Sequence, residues 1–506
     1  MPGKNLDAMI TTNSAGTKSA RAIVIGAGIA GIASSIRLRL KGYEVLALEA
    51  NSYPGGKLSV FEQDGYRFDA GPSLFTMPQY VDELFALAGK NPRTYFNYIK
   101  KPESCRYFWD DGVHFTASAD QNEFADEVEK KLGVPAKKVI KKLKKSRKIF
   151  ELAGHIFMEK PLNRSKTWLS KDVAKSLLNL HKLSLFSTMH QANEADLQNP
   201  KLVQLFDRYA TYNGSDPYRA PGILNIIPHL EHGIGTYLPE KGMYEITSSL
   251  VQLAEDLGVV FQLNERVEEI LLQGQKVAGV RTDKKVYQAD LVLSNMDVTP
   301  TYRKLLPNVK APEKKLRQER SSSALIFYWG IKKEFEQLGL HNIFFSKDYH
   351  KEFEDIFQGV VPAEDPTVYI NITSKDVPSD APNGCENWFV MVNVPTHKNQ
   401  DWEALIPQYK KHIISKLNPL FKVDLIDLIE TENTLTPLDI QIKTSSQGGS
   451  LYGTSSNSRY AAFLRHANDH KDIEGLFFAG GSVHPGGGIP LCLLSAKIVS
   501  EIIPNP

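Results

Sequence analysis

Cysteine is scarce in this chain: Cys105, Cys385 and Cys492 stand far apart and form no CxxC pair. That pattern leaves no thiolate zinc site, no disulfide scaffold and no dithiol redox centre, and it suits a reducing cytoplasm. Long apolar runs are missing too, so no membrane span is expected. The first 20 residues are rich in Ser, Thr, Ala and Gly without an apolar core; they read as a flexible tail and not as a signal peptide. A net charge of only +2 gives no general attraction for nucleic acid, and no nucleic-acid partner is expected.

Charge is nevertheless unevenly spread. Residues 130–182 carry 16 Lys and Arg against three acids, Glu151, Glu159 and Asp172. Within the same stretch Val139, Ile140, Leu143, Ile149, Phe150 and Leu152 mark an apolar stripe. A basic amphipathic helix of this kind lies on anionic membrane surfaces; it is equally the solvated face of a helix whose acids lie elsewhere in the fold.

Glycine carries the strongest local signal. A short apolar run, 22–25, leads into Gly26-Ala27-Gly28-Ile29-Ala30-Gly31, then apolar residues recur at helical spacing to Leu40 before Gly42 stops the helix. "YEVLALE" follows as a second strand ending in Glu49, eighteen residues beyond Gly31. Gly26 makes the tight turn, Gly28 lets the backbone approach a pyrophosphate, and Gly31 lets helix and strand pack closely. The phosphates sit on free N–H groups at the helix N-terminus, and Glu49 accepts from a ribose hydroxyl. A second glycine pair follows in "PGGK", Gly55, Gly56 and Lys57, where a plain NAD domain would continue in regular βα units. That favours an extended flavin dinucleotide, FAD. No second complete fingerprint appears, so NADP consumption is not expected.

The nucleotide-binding pattern returns after a long excursion. A helix is expected over 243–257, then strands over 259–263, 267–272 and 277–282 and a buried strand in "DLVLSN", with Val267 the candidate for holding adenine through its backbone. Between these pieces 91–235 reads as helix-rich, while 321–373 and 386–394 read as strands. The aromatics Phe327, Tyr328, Trp329, Phe344, Phe345, Trp388 and Phe389 are candidates for an apolar substrate tunnel. The expected fold is α/β: a Rossmann-like FAD-binding domain from 21–90, 236–300 and 445–506, plus an α+β substrate domain from 91–235 and 301–444 with a membrane-facing helical part.

Near the end, "GLFFAGG" reads as a strand and "LCLLSAKIVSEII" as a helix, with "SVHPGGGIP" between them. Pro490 suits the first helical turn, and the free N–H groups of residues 488–491 would face the N1–C2=O edge of a flavin. The opening glycine motif, "FDAGPSLFTMP", "LPEKGMYEI" and "AGGSVHPGGGIPLCLLSAK" together resemble the bacterial carotenoid desaturases of the phytoene desaturase type. The resemblance covers nearly the whole chain from Arg21 onward. It implies FAD, a C40 polyene substrate, peripheral attachment to the inner face of the membrane, and no metal. Carried over by motif, Gly26, Gly28, Gly31, Glu49, Gly55, Gly56, Lys57, Val267, Gly480, Gly487 and Ile489 would contact FAD.

Within the family, Gly481-Ser482-Val483 and Leu491 are more similar to hydroxycarotenoid 3,4-desaturases than to phytoene desaturases. This implies one C3–C4 double bond introduced into a 1-hydroxylated acyclic or monocyclic carotenoid, by hydride transfer to flavin N5. Phytoene desaturation and flavin-dependent isomerisation are the alternatives. Positioning of the reacting carbon carries most of the chemical demand, so no catalytic triad is expected. His484 is the candidate proton acceptor, with Lys160 and Arg219 behind it; oxygen or a quinone would reoxidise the flavin.

Overall fold

The computed structural model describes residues 20–506, apart from 162, 163, 165, 166, 168–178, 180–182, 360–362, 459 and 461–464. The expected tail over 1–20 thus lies almost wholly outside the described residues.

Arg21–Ile25 is the central strand of a five-stranded parallel sheet. Glu44–Leu48 and Val260–Gln262 follow on one side, Leu291–Ser294 and Leu476–Phe478 on the other. Chain order therefore reverses between Arg21–Ile25 and Leu291–Ser294, which opens a crevice at the strands' carboxyl ends. Three helices cover one face. Ile29–Leu40 packs between Ile489–Ile502 and Glu245–Asp256, and its side chains from Ile29 to Ile36 are all buried. The opposite face meets a three-stranded antiparallel sheet, Val267–Gln273, Lys276–Thr282 and Val286–Gln288, through Ile270, Val280 and Val292.

A second, seven-stranded sheet has the order Ile429–Leu435, Ser323–Ile331, Glu386–Val394, Val368–Ile372, His341–Phe344, Glu103–Phe108, His114–Ser118. Its last two strands depart from the helix-rich expectation for 91–235. They form a hairpin that docks in parallel on His341–Phe344, and regular helices begin only at Gln121–Leu132. Leu325, Phe327, Trp329, Trp388 and Val390 pack from one sheet face onto the long helix Trp402–Phe421. All nine residues of Ser323–Ile331 are buried, so both faces are covered.

The basic stretch contains the helix Ala136–Ile149, as its spacing predicts. Its apolar stripe is turned inward: Val139, Leu143 and Ile149 are buried in the helical layer. Even Lys142 points in, with Nζ 2.5 Å from Asn193 Oδ1 and 3.2 Å from Asp196 Oδ2. The stripe packs into the protein's own core, and the exposed face of the helix, with Lys137, Lys141 and Lys144, is the part free to meet an anionic surface. Much of the stretch after Pro161 lies outside the described residues.

Candidate functional site

One continuous cavity runs from the crevice of the parallel sheet to the inner face of the seven-stranded sheet, with a volume of about 1360 Å³. That exceeds the ~300–1,000 Å³ of a pocket for a single small ligand. The volume is enough for more than one small ligand.

At the crevice the walls are backbone. A Cβ on Gly28 would stand 2.8 Å from Asn295 Oδ1, and one on Gly56, at φ +59°, would press on the Gly28 Cα. Gly55 N–H donates to the Ala27 carbonyl at 2.7 Å and ties the two glycine turns together. Ile29–Leu40 has no capping side chain and no acid in its first turn, and the same holds for Ile489–Ile502. Each helix therefore offers unpartnered N–H groups and the positive end of its dipole to an anion. Arg465 adds a buried guanidinium at the second helix, under Gly486, with no ion pair among the described residues; burial, with Arg320 nearby, lowers its pKa to about 10.

Glu49 Oε2 accepts the Ala27 N–H at 2.8 Å, and Oε1 accepts the Asn51 N–H and Nδ2, both at 2.9 Å. Three of about four acceptor positions are filled, leaving one for a hydroxyl at the cavity. Lys57 reaches across to the carbonyls of Ser450 and Leu451, 2.8 Å each. Burial lowers its pKa to about 8, against the opposing pull of Asp297.

Of the residues singled out in the sequence, Gly26, Gly28, Glu49, Gly55, Gly56, Lys57, Val267, Gly487 and Ile489 line this cavity. Gly31 and Gly480 stand behind it. A Cβ on Gly31 would lie 2.1 Å from the Gly26 carbonyl, and one on Gly480 2.6 Å from Asn295 Nδ2. His484 is turned away: its Nε2 is 2.8 Å from the Lys160 carbonyl, and burial lowers its pKa to about 4, leaving a neutral ring held by backbone. Lys160 and Arg219 are exposed, Arg219 pairing with Glu319 at 3.0 Å.

Two of the seven aromatics, Tyr328 and Phe389, line the cavity; the other five lie in the packed cores, four of them behind the sheet. Strand alternation is the reason, since neighbours along a strand face opposite ways. Beside Tyr328 and Phe389 the wall carries Ile326, Met391 and Ile343, and Ile227 and Leu230 close it from the helical side. Sequence reading missed Asn295, which donates from Nδ2 to the Ala479 carbonyl at 3.0 Å and braces both glycine turns. Its place at the end of a buried strand was the available signal. Arg208, His341 and Tyr369, also on the cavity, had none. Among the described residues no group of His, Cys, Asp and Glu could hold a metal ion.

The glycine cradle, the two uncapped helices and the carboxylate fit a dinucleotide with an anionic edge. Residues 29–504 match the family described as flavin containing amine oxidoreductase. A 1-hydroxycarotenoid 3,4-desaturase of Flavobacterium is 53% identical over 485 residues, 96% of this chain and 99% of that protein. A 4,4'-diapolycopene oxygenase of Methylomonas is 32% identical, over 96% of this chain and 98% of its own. Among solved structures, cyclohexylamine oxidase from Brevibacterium oxydans shares the fold, with a TM-score of 0.60, 15% identity and coverage of 96% and 99%. An oxidoreductase from Methanosarcina mazei gives 0.62 and 15%, over 95% of this chain and all of its own.

Proposed function

The chain belongs to the flavin containing amine oxidoreductase family and, within it, to the carotenoid desaturases, and from that premise we propose that it introduces one double bond, at C3–C4, into a carotenoid hydroxylated at C1. The identity with the Flavobacterium desaturase, more than half of all positions over almost the full length of both chains, carries this reading.

FAD is the cofactor, and when bound it supplies a two-electron acceptor for the hydride leaving the substrate. Gly28, Gly55 and Gly56 would admit its pyrophosphate, Glu49 would accept from a ribose hydroxyl, and the backbone at Val267 would receive the adenine. The uncapped start of Ile489–Ile502 would hold the anionic edge of the flavin, and Lys57 keeps residues 450–451 against the glycine pair. Tyr328, Phe389, Met391, Ile227 and Leu230 enclose the polyene, exclude water and hold the reacting bond in place. Desaturation beside a conjugated chain asks mainly for that placement, so no strong base is assigned. His484 keeps the loop before the second helix in shape through Lys160. Electrons pass on to oxygen or a quinone.

A substrate dissolved in lipid requires docking. Among the described residues no helix is long and apolar enough to cross a membrane. The exposed lysines of Ala136–Ile149 support peripheral attachment to the inner face of the cell membrane.

The test is anaerobic bleaching of the flavin by liposomes carrying a 1-hydroxylated carotenoid or phytoene, with product mass. Bleaching by the hydroxylated carotenoid and a product two hydrogens lighter are expected. Bleaching by phytoene alone would move the protein to phytoene desaturation. A product of unchanged mass would make it an isomerase, and a product that gained oxygen when the assay is repeated in air would align it with the Methylomonas oxygenase.

A further inference from the structure

The apolar wall of the cavity is interrupted by a polar cluster around His341. Tyr328, Phe389, Asn371 and His341 are direct partners across four neighbouring strands. His341 thus shares a row with the polyene-facing aromatics, three strand spacings, roughly 14 Å, from Tyr328. Ile326, Met391, Tyr369 and Ile343 form the adjacent row. From the helical layer opposite come Arg208 and Glu231, also on the cavity, and their charges act on His341.

Nearly every polar atom of this cluster is matched. Arg208 Nη2 donates to Tyr107 Oη at 2.8 Å and to Glu231 Oε2 at 3.4 Å, while Nη1 reaches Tyr212 Oη at 3.4 Å. The Glu231 carboxylate also takes the hydroxyls of Tyr209, at 2.9 Å, and Tyr212. Burial would raise its pKa, but Arg208 and His232 hold it down to about 2, so the carboxylate is charged and cancels the guanidinium. His341 Nδ1 lies 2.8 Å from Tyr369 Oη and 3.3 Å from Asn371 Nδ2. An amide nitrogen only donates, and this one also donates to the Leu340 carbonyl at 2.9 Å, so Nδ1 is an acceptor and the ring proton sits on Nε2. Burial lowers the pKa of this ring to about 4 and keeps it neutral.

Within the cluster two donors remain unmatched, Arg208 Nε and His341 Nε2, on side chains more than nine-tenths buried; the one other unmatched donor of this row, Tyr328 Oη, lies three strands away. An unmatched buried donor is destabilising, and a ligand acceptor would recover that loss. The surroundings define that acceptor. With Arg208 balanced by Glu231, the nearby Lys101 by Asp376 and His341 neutral, the site carries no net charge and suits neither a carboxylate nor a phosphate. It suits a neutral oxygen on an otherwise apolar molecule.

Position agrees. A Cβ on Gly71 would strike the Lys57 carbonyl at 1.7 Å, so this turn lies against the dinucleotide cradle. Two residues on, Ser73 Oγ is 2.7 Å from Tyr369 Oη, which in turn touches His341. The polar cluster is joined to the cradle through only two side chains. In a 1-hydroxylated carotenoid the carbon bearing the hydroxyl is two bonds from C3, so hydroxyl and reacting bond must be bound close together.

We propose that Arg208 Nε and His341 Nε2 form the subsite that receives the substrate's C1 hydroxyl oxygen and so set which end of the polyene is desaturated. The inference rests on the desaturase reading above and adds the residues that read the hydroxyl.

Flavin-loaded wild type, His341→Leu and His341→Gln would be compared on a 1-hydroxylated carotenoid and its analogue lacking the hydroxyl. Binding is read by quenching of protein fluorescence in carotenoid liposomes, and turnover by product mass. The wild type should prefer the hydroxylated ligand in both readouts. His341→Leu should lower that preference about tenfold, the scale for losing one net hydrogen bond, and His341→Gln, which keeps an N–H donor, should restore much of it. Should His341→Leu fail to load flavin, Arg208→Lys takes its place, since it retains the charge facing Glu231 and removes the Nε donor. Equal preference in wild type and variant would overturn the subsite while leaving a desaturating enzyme intact. Hydroxyl-dependent binding that disappears in the variant, in a protein that desaturates neither carotenoid, would uphold the subsite and sink the desaturase reading instead.

Discussion

Single residues at this site act mostly through what they leave open. Gly28, Gly31 and Gly56 matter because a methyl group at each would meet a fixed neighbour, and at Gly31 that neighbour is the Gly26 carbonyl itself. Lys57 is the exception, a long side chain with a definite partner. Its two bonds to the Ser450 and Leu451 carbonyls hold the C-terminal wall of the cradle against the N-terminal glycine pair. Hydrogen bonds to a charged donor contribute roughly 1.5–3 kcal/mol. Lys57→Met should therefore weaken FAD binding by about tenfold or more, measured by flavin fluorescence on titrating stripped protein. An unaltered dissociation constant would remove Lys57 from the cofactor cradle.

Among the elements, the helix Ala136–Ile149 shows how one sequence pattern divides between two tasks. Its apolar residues fasten it to Met189–Leu197 and the helical layer, and Lys142 is anchored inside by Asn193 and Asp196. Lys145 also pairs with Asp196, whereas Lys137, Lys141 and Lys144 face solvent with no ion pair among the described residues. A lysine near an anionic surface is worth about 1 kcal/mol. Reversing the charge of these three together should weaken cosedimentation with anionic liposomes at least tenfold and leave the melting temperature within a few degrees. If the triple variant still binds such liposomes like wild type, docking uses another surface.

For the molecule as a whole, buried imidazoles set the response to acid. His341, His466 and His484 each have a pKa lowered to about 4, burial being the leading cause in all three. The unfolded chain protonates these rings below about pH 6.5 and the folded one does not, so stability is greatest above 6.5 and falls as pH drops towards 4. Each ring contributes a loss of roughly 1 kcal/mol between pH 7.5 and 5.5. His190, raised by Asp207, acts in the opposite sense over a similar range. Denaturant unfolding of wild type and His466→Gln across that interval should show a steep fall in the former and a shallower one in the latter. Parallel curves would mean that His466 takes up its proton in the folded state.

The sequence alone determined the dinucleotide cradle. Strand, glycine turn, helix and acid lie within thirty residues, and their geometry depends on backbone freedom and spacing that each segment carries in itself. "HPGGGIP" before the last helix was legible for the same reason. Only the tertiary structure decided which side chains face the substrate. In "SALIFYWGI" every residue is apolar or small and every one is buried, so no polar partner marks the outward face, and the packing of Trp402–Phe421 on one side selects Tyr328 for the other. Similarly, the apolar stripe of the basic helix meets protein and not lipid because residues 189–206 supply the matching surface. Arg208 and His341 are 133 positions apart and come from different layers; their two unmatched donors become a site only where sheet and helices enclose the same space.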